Sequence, residues 1–347
     1  MGSDDDGHVW DPARVKSAAL REALSTLEEW APLRVPVLLV GERGTGKTTL
    51  ANFLRSMSPF QKAQGTNWPT VVCGQFRVNP ELARSELFGH VEGAFTGATK
   101  VRPGLLEQAD GDTVFFDEIA DIDRDTQRLL MAAIEGRGFQ RLGDVKVRHS
   151  NFRLVCATNR SLAELRDDVL DLDFMDRIAV FVLSVPPLRQ CREDLPDAWR
   201  LVLSRATRSA GISPDGWERF VEHVTLRDAI ASHPLPGNFR DLQRAAYHLL
   251  ASLKAGRSED RIVDGAIAAL GPRESPRRAV PAASELAELL PLENLRAQLD
   301  EYERSWHEAA LTKASGNKSE AARLLGVPRK TFESRLRSVG RIDDPDG

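Results

Sequence analysis

The octet GERGTGKT, residues 41–48, stands directly behind the apolar run VPVLLV, and no other stretch constrains the architecture as strongly. Gly41, Gly44 and Gly46 allow backbone N–H groups to turn inward toward anionic oxygens, and a GxxxxGK[ST] pattern that closes a strand and opens a helix reads as a phosphate-binding loop. Lys47 is placed to reach the β- and γ-phosphates of a nucleotide, and the Thr48 hydroxyl to ligate Mg2+ at the helix start. Thr45 and Thr49 complete the candidate nucleotide contacts.

Apolar, β-branched runs recur beyond this point: PTVVC, DTVFFDE, FRLVCATN and IAVFVLSV join VPVLLV as buried strands alternating with amphipathic stretches. That alternation predicts a parallel sheet with helices on both faces. After VPPLRQCREDLP the strands stop and helical periodicity takes over to about residue 270. The segment GPRESPRRAVPAASEL reads as a linker, and helical patterning resumes beyond it. The expected division is a tail and amphipathic helix over 1–34 (the helix near 15–29), an α/β body over 35–187, an all-helical domain over 188–270, a linker over 271–288 and a second helical module over 289–347.

Two further strands add chemistry to the sheet edge. DTVFFDE ends in Asp117, which can hold the magnesium shell, and Glu118, which can polarise a water for in-line attack on the γ-phosphate. VCATNR brings Asn159 to the same edge, where an amide can hydrogen-bond that phosphate or the attacking water. An acidic pair behind a buried strand, downstream of a phosphate loop, points to ATP hydrolysis with ATP and Mg2+ rather than to nucleotide binding alone.

Composition narrows the remaining classes. With 47 basic against 51 acidic residues and a net charge of -4, no overall basic field argues for nucleic acid, although residues 302–340 are locally basic, with eight Lys or Arg against four Glu. Cys73, Cys156 and Cys191 are scattered and unpaired in sequence, which fits a reducing cytoplasm and argues against a zinc or disulfide framework. No apolar run approaches the ~20 residues of a membrane span, and the acidic start MGSDDDGH is unlike a signal peptide.

The motifs SELFGHVEGAFTGAT, GDTVFFDEIADI, GFQRLGD, ATNR, VPPLRQCREDLP and PLPGNFRDL resemble those of the NtrC-like transcription activators, the bacterial enhancer-binding AAA+ ATPases that act on sigma-54 RNA polymerase. The resemblance implies that Gly93, Ala94, Phe95, Thr96, Gly97 and Ala98 form a surface loop that touches sigma-54. Phe95 and Thr96 would make the decisive contacts, Gly93 and Gly97 would supply backbone freedom, and residues 139–149 would form a companion loop. It also implies assembly from dimers into a hexameric ring with ATP between subunits. Arg177 would then act from a neighbour, and Arg240 would sense nucleotide from the lid of the same subunit.

Three positions depart from the family pattern. Thr48 follows the loop lysine where glutamate is usual, Asp171 occupies the place of the first of two trans-acting arginines, and Gly74 stands where an asparagine gates the catalytic glutamate.

The end of the chain resembles a Fis-type helix-turn-helix, with Gly326 at the turn and Pro328 opening the next helix. By that match Arg329, Lys330, Thr331, Glu333, Ser334 and Arg337 lie on or at the start of the recognition helix facing double-stranded enhancer DNA, and a helix over 289–311 supplies the dimer contact. The expected protein is a cytoplasmic, DNA-bound, ATP-driven activator of sigma-54 polymerase. Its alternatives are a hydrolysis-impaired co-activator that needs a partner ATPase, and a AAA+ remodeller of another client. No receiver or GAF domain precedes the phosphate loop, so control is expected either from a separate regulator in trans or from a region missing from this sequence.

Overall fold

The computed structural model describes residues 11–62, 68–76, 79–166, 169–211, 216–271, 306–307, 310–314, 316–325, 327, 329 and 331–332. The chain separates into two compact units, Met1–Pro276 and Arg277–Gly347.

The strands of the first unit are β1 (Val37–Val40), β2 (Thr70–Val72), β3 (Gly89–His90), β4 (Arg102–Pro103), β5 (Thr113–Asp117), β6 (Phe139–Gln140), β7 (Val147–Arg148), β8 (Arg153–Thr158) and β9 (Phe181–Ser184). Five of them form one sheet in the order β2-β5-β8-β1-β9, and every pairing in it is parallel. These are the five apolar runs singled out in the sequence. The helices packed around the sheet are α1 (Ala18–Trp30), α2 (Lys47–Ser56), α3 (Pro80–Phe88), α4 (Leu105–Gln108), α5 (Arg124–Ile134), α6 (Leu162–Arg166) and α7 (Leu172–Ile178).

Strand side chains alternate between two cores, as the pleat requires. Val37, Leu39, Phe115, Val155 and Ala157 pack with Leu24, Leu27, Leu50 and Leu54 of α1 and α2. Leu38, Val114, Phe116, Leu154 and Cys156 pack with Leu87, Leu130 and Phe174 of α3, α5 and α7. Because both faces are covered, the strands read as continuous apolar runs rather than alternating ones. Truncating Phe115 or Phe116, both fully buried, should cost about 3–5 kcal/mol.

A buried ion pair fixes the start of β5. Asp112 accepts from Arg55 Nε and Nη2 of α2 at 2.8 Å each and from the Thr113 N–H at 2.7 Å. Burial pushes its carboxyl up, but the Arg55 and backbone bonds outweigh this and hold it below the ordinary aspartate value. Removing one partner of such a pair costs about 3–5 kcal/mol, because the other charge is left buried.

Helix α1 begins three residues later than the periodicity predicts. Lys16 and Ser17 stay extended because their N–H groups donate to the Asp194 carboxylate at 2.6 and 3.2 Å. Beyond β9 come α8 (Leu195–Ala210), α9 (Val224–Ser232), α10 (Phe239–Lys254) and α11 (Glu259–Ala269), which enclose a core of their own around Trp199, Phe220, Leu242 and Leu249. All three cysteines are free and buried. Among the described residues no helix is long and apolar enough to cross a membrane.

In the second unit, α12 (Lys318–Leu324) is capped by Asn317, whose side chain accepts from the Ser319 and Glu320 N–H groups at 3.0 and 3.3 Å. Ala310, Ala321, Ala322 and Phe332 form its small core. The linker beyond Gly271, Gly326, Pro328 and most of the 289–311 helix lie outside the described residues.

Candidate active site

Parallel register brings the carboxyl ends of β1, β5 and β8 to one sheet edge: Val40 pairs with Thr158, and Phe116 with Cys156. The phosphate loop, the Asp117–Glu118 pair and Asn159 therefore emerge side by side. Gly41 continues the ladder by donating its N–H to the Thr158 carbonyl at 3.1 Å.

Gly44 and Gly46 adopt positive φ angles of 76° and 90°, which glycine tolerates at little cost. No side chain caps the start of α2, so its first N–H groups face the cleft, as an anion site requires. Lys47 is buried, and its Nζ donates to the carbonyls of Gly41 and Glu42 at 2.8 and 3.1 Å. Burial lowers the Lys47 pKa from its ordinary value, and the nearby charges of Glu118 and Asp117 oppose that shift. The loop residues 43–49 line a cleft of about 490 Å³, and Asp117, Glu118 and the lid residue Arg240 line it with them.

Glu118 is one of three non-glycine residues with positive φ among those described, the others being Leu235 and Asn238. Such backbone costs of order 1–3 kcal/mol and persists where the surroundings enforce it. Here Asn159 does so. Its N–H donates to Glu118 Oε2 at 3.1 Å. With its amide oriented to satisfy both neighbours, Nδ2 donates to the same oxygen at 2.7 Å and Oδ1 accepts from Arg43 Nε at 3.0 Å. The Asn159 amide thus bonds to the glutamate and to the phosphate loop.

Arg177 stays out of this cleft. It is exposed on α7, where its Nη2 pairs with Glu135 at 3.0 Å. Asp171 precedes α7 and faces Arg124 at 3.7 Å. Gly74 sits in a 3₁₀ turn at Cys73–Phe76, where a Cβ would lie 3.4 Å from Asp121 Oδ2.

Residues 92–99 form a compact turn on the outer surface. The Gly93 N–H donates to the Ala98 carbonyl at 2.8 Å and the Ala98 N–H to the Phe95 carbonyl at 3.0 Å. Ala98 is thereby buried. Gly93, Phe95, Thr96 and Gly97 are left exposed, and Phe95 rests its ring against the edge of His90, centroids 5.1 Å apart. The β3–β4 pair anchors the turn. Bonds from Leu142 N–H to the Gly89 carbonyl at 2.9 Å and from Val91 N–H to the Leu142 carbonyl at 3.1 Å tie the 139–149 segment to its base.

In the second unit Arg329 is exposed and Thr331 half-buried. Lys330, Glu333, Ser334 and Arg337 lie outside the described residues.

Sequence reading missed Arg43 and three residues that join the loop to the lid: Glu42, Arg189 and Asn238. Each lies inside a motif already quoted, Glu42 and Arg43 in GERGTGKT, Arg189 in VPPLRQCREDLP and Asn238 in PLPGNFRDL two positions before Arg240, but nothing in those motifs shows that they meet. Residues 14–184 match the Sigma-54 interaction domain, and residues 298–338 match the Bacterial regulatory protein, Fis family. Transcriptional regulatory protein ZraR of Klebsiella oxytoca is 34% identical over 92% of this chain and 67% of its own length. The Psp operon transcriptional activator of Escherichia coli (strain K12) is 34% identical over 91% of this chain and 94% of its own length. Against Phenol regulator MopR of Acinetobacter guillouiae, 32% identical over 93% of this chain, the chain spans about half of the relative, 55%. The crystal structure of NtrX from Brucella abortus in complex with ADP superposes with a TM-score of 0.61 at 25% identity, covering 94% of this chain and 68% of that one. A complex of the same protein with ATP gives 0.59 at 25% identity, over 96% and 69%.

Proposed function

The chain belongs to the NtrC-like sigma-54-dependent transcription activators, with a AAA+ P-loop domain and a Fis-type helix-turn-helix, and from that premise we propose that it hydrolyses ATP to drive the 93–98 loop against sigma-54. The observation that carries this reading is the convergence of Lys47, Asp117, Glu118 and Arg240 on one cleft. The ADP and ATP complexes of NtrX support nucleotide as the occupant.

Chemistry at such a site is positioning plus electrostatics. The open N–H groups at the start of α2 and the Lys47 ammonium bind phosphate oxygens. Thr48 and Asp117 offer a hydroxyl and a carboxylate, hard oxygen donors that fit Mg2+ completed by phosphate and water; the ion would neutralise charge on the phosphates. Glu118, held by Asn159, orients the attacking water. Arg240 contacts nucleotide from the lid, and Arg177 completes the site of the next subunit in a ring. In the cytoplasm the helix-turn-helix holds the assembly on enhancer DNA, while Phe95 and Thr96 press on the closed polymerase complex.

Asp171 and Gly74 favour a second reading, in which this chain hydrolyses slowly until a partner subunit completes the ring. Phosphate release measured across protein concentration separates the two. The homo-oligomer predicts specific activity that rises steeply with concentration. Absence of activity at every concentration, restored by a second ATPase, would establish the second reading instead.

A further inference from the structure

The turn entering α10 carries residues that the mechanism above leaves unused. Asn238 is fully buried, yet its backbone sits at φ 52° and ψ -128°, a conformation that side-chain-bearing residues rarely adopt. The residue that tolerates this angle best is glycine, so the asparagine side chain must contribute something that offsets the strain.

Its bonds show what that is. Asn238 Oδ1 accepts from the Leu188 N–H at 2.8 Å, while Nδ2 donates to Glu42 Oε2 and to the Arg43 carbonyl, both at 3.1 Å. The Glu42 carboxylate is also gripped by Arg189, Nη1 at 2.7 Å and Nη2 at 2.5 Å. One residue on, the Phe239 N–H donates to the Gly44 carbonyl at 3.0 Å. The approach is close enough that a Cβ on Gly44 would lie 2.4 Å from the Gly237 carbonyl oxygen.

Three consecutive residues of the phosphate loop, Glu42, Arg43 and Gly44, are therefore each bonded to the entrance of α10. A lid held by apolar packing alone would need none of these bonds. The planar amide supplies an acceptor and two donor contacts at once, which neither aspartate nor alanine can do.

We propose that Asn238, with the Glu42–Arg189 pair, is a latch that fixes the phosphate loop to the lid and makes Asn238 a positioning residue for nucleotide. It sets the conformation of residues 42–44 and, two positions further on, the aim of Arg240. Nucleotide that shifts the loop is thus transmitted to the lid through hydrogen bonds rather than through Arg240 alone. This proposal rests on the nucleotide reading of the same cleft.

The test uses the full chain and two substitutions. Asn238→Asp removes both donor bonds and sets a carboxylate against Glu42, whereas Asn238→Gly deletes all three side-chain bonds while relaxing the backbone. Hydrogen exchange over 42–48 and 235–242 is followed without nucleotide, and binding is followed with a fluorescent ADP analogue. The latch predicts faster exchange in both segments for each variant and about tenfold weaker ADP binding, a change of about 1.4 kcal/mol. It further predicts weaker binding by Asn238→Asp than by Asn238→Gly, because only the aspartate sets a like charge against Glu42. Unchanged exchange over 42–48 in both variants, or ADP binding at the wild-type level in both, would overturn it. If the wild-type chain binds no ADP, the nucleotide reading falls, and the exchange comparison still upholds or overturns the latch.

Discussion

The phosphate cleft and the 92–99 turn are both glycine-rich, and they use glycine in opposite ways. At Gly44 the missing side chain makes room for the lid, whose Gly237 carbonyl oxygen would lie 2.4 Å from an added Cβ. At Gly93 and Gly97 an added Cβ would meet nothing within 4 Å, and only the positive φ angles of 76° and 103° call for glycine. The phosphate loop is bonded to the end of β8 and to the entrance of α10, while the turn is held at its base and open at its tip. Catalysis by positioning needs the first kind of environment. A loop that must change shape against a partner needs the second.

The largest expected effect sharpens the catalytic side of that contrast. Glu118→Gln removes the charge that the proposed mechanism uses to polarise water but keeps the shape and the bond from the Asn159 N–H. Phosphate release should fall by about 100-fold or more, with ADP affinity unchanged within about threefold; parallel loss of binding would show that Glu118 shapes the cleft instead.

A smaller effect separates the two uses of glycine directly. Gly44→Ala combines a steric clash with left-handed backbone and should cost about 2–4 kcal/mol, along with nucleotide binding. Gly93→Ala carries only the backbone term and should cost about 1–2 kcal/mol, with binding intact. Urea unfolding and ADP titration of the two variants check this, and equal losses of stability would break the comparison.

The smallest effect is on pH dependence. Arg189 holds Glu42 below the ordinary glutamate value of 4.5, and Arg141 does the same for Glu107 under the 139–149 segment. A depressed carboxylate contributes stability that is present above its unfolded value and is lost as pH falls through the folded one. Both regions should therefore hold from pH 7 to about 5 and loosen together below about 4.5, a fall visible in the unfolding midpoint. Arg189→Met should flatten that fall in part, while leaving the Glu107 contribution in place.

Much of this organisation was legible in the sequence because its signals are local. A strand buried on both faces reads as one apolar run, and all five strands of the sheet were found that way. The phosphate loop and the Asp117–Glu118 pair are each contiguous and follow such a strand. What sequence reading missed depends on distance along the chain. Asn238 and Glu42 are 196 residues apart, Arg189 and Glu42 are 147 apart, and buried Arg55 and Asp112 are 57 apart; no local pattern marks any of these pairs. The two-residue strands β3, β4, β6 and β7 are too short to show a period. Ala98 belongs to an apolar hexapeptide that reads as an exposed tip, and only the folded turn reveals that its own carbonyl and N–H close the loop and bury it.

The central claim is that the chemistry and its output occupy different places, the sheet edge and the 93–98 turn. Reconstituted transcription with sigma-54 polymerase, ATP and an enhancer-bearing template tests it with one substitution, Thr96→Ala. The account predicts phosphate release within about twofold of wild type and loss of open-complex formation. Open complexes formed at the wild-type level by the Thr96→Ala protein would contradict it.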